Sequence, residues 1–224
     1  MTEDETFGDR VIAWMIANKP RLDELMAQEG SKAIHEEFIL AEGGMMPGRD
    51  ERVERARGAS ARAWLRHLAH AIGAEWADAP DGLGETIEAW LVVNQERLEA
   101  IRIDEEPQLE RLGRSGDAEA DERRLALAAQ RRFFAEAVGT ATATDERDGP
   151  TLGREISAWG WGENDRLREL QLEALTASGI EVEATTEIEL LWERSPETAR
   201  QSEAAVQWAN LRFLIEGLEV ALET

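Results

Sequence analysis

The chain of 224 residues has no cysteine. That excludes disulfides, thiolate nucleophiles and thiolate-held zinc or iron–sulfur centres. Tyrosine is absent too, beside 8 tryptophans, an imbalance for which we have no physical account. Lysine is nearly missing: Lys19 and Lys32 are the only two among 25 basic residues. Positive charge as a whole is scarce, with 47 acidic side chains and a net charge of -22. A field of that sign disfavours direct nucleic-acid binding and anionic membranes. No apolar run approaches the length of about 18 residues that a membrane helix needs. The start, Met1-Thr2-Glu3-Asp4-Glu5, lacks the basic stretch of a signal peptide. The expected location is cytoplasmic. Gly-rich phosphate loops, GxSxG and HExxH are all absent from the sequence, so no cofactor and no catalytic residue is assigned.

What remains is enough for a fold. An apolar fraction of 42% argues against disorder. A chain of this size buries roughly 70% of its unfolded surface. The acid is evenly spread: 16 acidic against 10 basic residues over 1–82, 16 against 9 over 83–151, and 15 against 6 over 152–224. Adaptation to a salty, halophilic interior fits depleted Lys with surplus acid. A GC-rich genome fits the surplus Arg equally. A decoy imitating DNA would concentrate its carboxylates.

One word recurs three times. Residues 7–14 read FGDRVIAW, 83–90 LGETIEAW and 152–159 LGREISAW. Arg-Leu follows each Trp at the same distance, as Arg21-Leu22, Arg97-Leu98 and Arg166-Leu167. The apolar period is three to four, which is helical. Pro150 and Thr151 mark the third start, with Thr151 a plausible N-cap, and Asp81 is the candidate cap of the second. A second helical pattern follows each word, over 50–77, 117–138 and 197–222. There Arg66, Arg132 and Arg212 align. Residues 180–192 are read as a helix extension or short hairpin. The expected fold class is all-α: about six main helices from three repeated antiparallel pairs, over approximately 7–82, 83–151 and 152–224. These make a single domain over 1–224, a compact bundle rather than a short α-solenoid.

Candidate ligand-binding residues follow from the repeat. A polar residue interrupts each apolar stripe four positions after Trp: Asn18 after Trp14, Asn94 after Trp90, Glu163 after Trp159. With Arg21, Arg97 and Arg166 they form either a Trp/Asn/Arg pocket for a small molecule or anion, or a set of interhelical hydrogen bonds and ion pairs. His67 and His70 are one turn apart, but the positions aligned with them in the second copy are Phe133 and Glu136, so no metal centre is assigned. Arg49, Arg52, Arg55 and Arg57 make one basic helix face, suited to an acidic helix of this chain or a partner.

Three functions are weighed. A non-catalytic protein-binding adaptor, assembly factor or complex subunit asks least of the sequence. It predicts an exposed apolar patch, with Met45, Met46, Trp76 or Trp192 at its rim. A small-molecule or anion-binding enzyme and an acidic nucleic-acid mimic are the alternatives.

Overall fold

A computed structural model describes residues 6–43, 48–77, 79–143, 148–183 and 196–223. Every regular element among them is an α-helix: α1 (Phe7–Ala17), α2 (Lys19–Glu42), α3 (Arg49–Glu75), α4 (Leu83–Val93), α5 (Gln95–Leu112), α6 (Ala118–Ala141), α7 (Gly149–Gly162), α8 (Asn164–Ala177) and α9 (Pro196–Glu223). The all-α class holds. The expected six helices in three pairs do not: there are nine among the described residues, because each recurring word ends in a helix break.

The breaks fall at Asn18, Asn94 and Glu163, with φ/ψ of -101/25, -103/25 and -104/34. A helical period steps straight through a single such residue, since Trp14, Asn18 and Leu22 are still four apart. At the first break Pro20 sits in the opening turn of α2, where its missing N–H is harmless. Asn18 Nδ2 also donates to the Trp14 carbonyl at 2.9 Å, which accepts the Asn18 backbone N–H as well.

The helices group into two compact units, Met1–Val93 and Asn94–Thr224. In the first unit the long α3 packs against α1, α2 and α4. Its core includes Val11, Met15, Leu25, Leu68, Ile72, Leu83 and Ile87. In the second unit α6 packs against α5 and α7, and α9 against α7 and α8. Phe134, Leu152, Ile156, Leu170 and Phe213 lie in that core.

The recurring Gly has a steric cause in two of its copies. A Cβ on Gly84 of α4 would lie 3.0 Å from the Ala69 carbonyl oxygen and the His70 Cα of α3. One on Gly153 of α7 would lie 2.4 Å from Glu136 Cγ of α6. Close backbone approach needs these positions bare. The partner helices carry their own glycines at the crossings, Gly73 against Gly84 and Gly139 against Gly149.

Helix starts are chemically marked. Thr6 and Asp9 form a capping box at α1, with the Asp9 N–H donating to Thr6 Oγ1 at 3.1 Å. At α7 the cap is Asp148, which accepts the Thr151 N–H at 2.8 Å. Thr151 is therefore the donor and not the cap, a correction to the sequence reading. Helix α8 ends at Ala177, after which Gly179 takes φ +78 and the Ile180 N–H returns to the Leu175 carbonyl at 3.1 Å. Ile180 then packs on Leu175 and Ala205. Residues 180–183 do not extend the helix, and 184–192 lie outside the described residues.

Candidate functional site

Buried charge comes first, because it must be compensated or removed. In the first unit Glu29 of α2 is 1% exposed and accepts from Lys32 at 2.7 Å, Arg62 Nε at 2.9 Å and Arg66 at 2.7 Å. Arg66 also reaches Glu88 of α4 at 2.6 Å, and His70 meets Glu88 at 2.7 Å. Burial pushes Glu29 and Glu88 upward, but the hydrogen bonds from Lys32 and Arg62 on the one, and from Arg66 and His70 on the other, outweigh it. Both carboxyls end below the ordinary range.

The second unit has a similar network. Glu105 of α5 accepts from Arg132 at 2.8 Å, from Ser157 Oγ at 2.5 Å and from Trp161 Nε1 at 2.6 Å. Glu136 takes Arg97 through two bonds, at 2.9 and 3.1 Å, and Arg132 at 3.3 Å. A Ser beside a carboxylate resembles the start of a nucleophilic constellation. Here the hydroxyl and Glu105 are both buried, and Arg132 and Trp161 fill the rest of the carboxylate. The arrangement joins α5, α6 and α7, and it offers no reacting atom to solvent.

The candidate residues are placed by ion pairs, ring contacts and helix breaks. Arg97 holds Glu136, and its pKa is raised chiefly by that bond. Arg166 holds Glu216 at 2.8 and 3.0 Å, with the same result. Arg21 turns to Glu24 at 3.1 Å, because the residue aligned with Glu136 and Glu216 on α3 is His70. Trp14 lies on the His67 ring, with centroids 5.4 Å apart, and Trp159 on Phe213 at 4.5 Å. Trp90 is half-buried on α4. Asn18, Asn94 and Glu163 occupy the helix breaks. His67 is fully buried, and its Nε2 meets the Met15 carbonyl at 3.0 Å. Among the described residues no group of three His, Asp or Glu is placed to hold a metal ion. Arg55, of the basic face, pairs with Glu51 at 2.8 Å and Glu36 at 3.8 Å.

The least expected arrangement is on α2. Its inner face buries Leu22, Leu25, Glu29 and Ala33. About 120–160° round the helix from Leu22, at about 100° per residue, stand Ile34 and Phe38, 68% and 64% exposed. With Ala27, Ser31 and Ala41 they make a second stripe spaced four, three, four and three. Two apolar stripes on one helix were legible in the sequence, as a surplus over what a single face needs. The outer stripe does not recur in the second copy, where Glu110 and Arg114 align with Ile34 and Phe38. Of the residues expected at an apolar rim, Trp76 packs on Phe7 at 6.0 Å. Met45, Met46 and Trp192 lie outside the described residues.

No family model, curated protein or solved structure gives a significant match to this chain. Among the described residues no helix is long and apolar enough to cross a membrane.

Proposed function

We propose that the chain is a non-catalytic protein-binding subunit or adaptor, and that the outer face of α2 is its contact surface. The observation that carries this reading is the exposure of Ile34 and Phe38, 68% and 64%, one turn apart on a helix whose other face is already packed. Large apolar side chains held together in water mark interaction sites. The pocket alternative has less behind it, because Arg97 and Arg166 are committed to Glu136 and Glu216.

The test is a photo-crosslinking amino acid placed at position 38, with position 203 on α9 as an exposed control. In cells that make the protein, a discrete adduct should form from position 38 and be absent from position 203. Adducts of equal yield and identity from both positions, or none from position 38, would contradict the reading.

A further inference from the structure

We infer that the occupant of this face is a basic amphipathic helix of a partner protein, laid along residues 27–41 of α2. This rests on the reading that the α2 outer face is the contact surface, and it adds the partner's chemistry.

The spacing of the stripe comes first. Ala27, Ser31, Ile34, Phe38 and Ala41 alternate four and three, the step of a coiled-coil seam. Written as heptads, Ala27, Ile34 and Ala41 take one core position while Ser31 and Phe38 take the other. The seam runs about 21 Å, or about four helical turns. Its large residues are central and its small ones terminal. Ile34 and Phe38 are knobs, and Ala27, Ser31 and Ala41 leave room for knobs of a facing helix. The buried residues Leu22, Glu29, Leu25 and Ala33 take heptad positions away from the seam, so α2 keeps its grip on α3 while the seam is engaged.

Charge then selects the occupant. The positions flanking a seam decide partner choice. Here they are Asp23, Gly30 and Glu37 on one side, and Gln28, His35 and Glu42 on the other. No Lys or Arg stands among them. Glu37 and Glu42, toward the C-terminal end, carry the acidic charge of the two flanks. Of the three basic residues of α2, Lys32 pairs with the buried Glu29 on the inner face, while Lys19 and Arg21 pair with Asp23 and Glu24 at the N-terminal end. A second copy of the chain would set these acids against themselves and bring together two molecules of net charge -22. A partner helix with an apolar seam flanked by Lys or Arg meets both the shape and the field.

The experiment uses the full chain and two synthetic helices of roughly 21 residues, which cover the seam of about 15 residues with about a turn to spare at each end. Both carry the same Leu/Ile seam. One has Lys and Arg at the flanking positions, and the other has Glu. Binding is followed by fluorescence anisotropy, at a salt concentration where circular dichroism shows the chain folded. The basic helix should bind at least about tenfold more tightly than the acidic one. Phe38→Ser should weaken it by about tenfold or more, with the helical spectrum unchanged. The double variant Glu37→Lys/Glu42→Lys should shift preference toward the acidic helix. If both helices bind equally and Phe38→Ser weakens both, the face is a docking site but the charge assignment is wrong. If the basic helix binds and neither Phe38→Ser nor Ile34→Ser changes it, the α2 face itself is refuted. If neither helix binds, the inferred occupant is wrong. A dimer in sedimentation analysis that Phe38→Ser dissolves would make the occupant a second copy.

Discussion

At the scale of single residues, burial shifts two basic groups toward their neutral forms. Arg131 of α6 is 6% exposed, and among the described residues its Nε has no hydrogen-bond partner. The guanidinium lies over the Phe213 ring, 5.2 Å from its centroid, and against Gly160, whose Cβ would meet Nε at 3.2 Å. Burial pushes its pKa down to about 10, against a weaker pull from Glu105. On the alignment that pairs Arg66, Arg132 and Arg212, its counterparts are Leu65 and Leu211. A poorly compensated buried charge is a burden that an apolar residue relieves. Arg131→Leu should therefore raise the melting temperature by several degrees, at about 2–4 °C per kcal/mol for a chain of this size. A lowered melting temperature would show that the cation is compensated. His67 is the second case. Burial lowers its pKa, the Met15 bond opposes this, and His70 and Arg21 add to the lowering. Because the folded pKa lies below the unfolded value of about 6.5, the contribution to stability is complete above that pH and is lost as pH falls below it. Denaturation midpoints at about pH 7.5 and pH 5.5 should differ in the native chain. In His67→Phe, a residue found at the aligned positions 133 and 213, the difference should shrink. An unchanged difference would contradict the assignment.

At the scale of elements, crossings are set by glycine and register by buried ion pairs. A Cβ on Gly73 would lie 2.5 Å from the Gly84 backbone nitrogen and 2.8 Å from its Cα. Backbone cannot yield as a side chain can. Gly73→Ala should then lower stability by about 1–3 kcal/mol through overpacking, despite the gain of about 1 kcal/mol that Ala brings to a helix. Denaturant unfolding measures this, and a stabilised variant would show that α4 is free to shift away from α3. The helices and the recurring Trp and Gly could be read from periodicity and spacing. The breaks could not, because one residue at φ near -100 leaves the four-residue step from Trp14 to Asn18 to Leu22 intact. Pro20 at the first break, and Gly160 and Gly162 just before the third, were the available warnings. Glu29 and Glu105 were hidden for a different reason. In a chain with 47 acids, nothing local separates a carboxylate that will be buried among arginines from one that will face water. The outer stripe of α2 was visible as a pattern, but its exposure depends on which face α3 covers.

At the scale of the whole molecule, the charge of -22 is the dominant field. Self-repulsion on this scale is screened by salt. If the acidity is salt adaptation, the urea midpoint should rise steadily as potassium chloride is added. A midpoint independent of salt would remove that explanation. The same field bears on function, because it repels anionic partners and draws cationic ones toward an apolar seam bordered by acids. The central claim is that α2 has two separable faces, the inner one holding the first unit together and the outer one engaging a partner. The most direct measurement compares Ile34→Ser/Phe38→Ser with the native chain, recording melting temperature and affinity for the basic helix together. The account predicts an unchanged melting temperature and a loss of binding. Lost stability, or binding that survives in a folded variant, would contradict it.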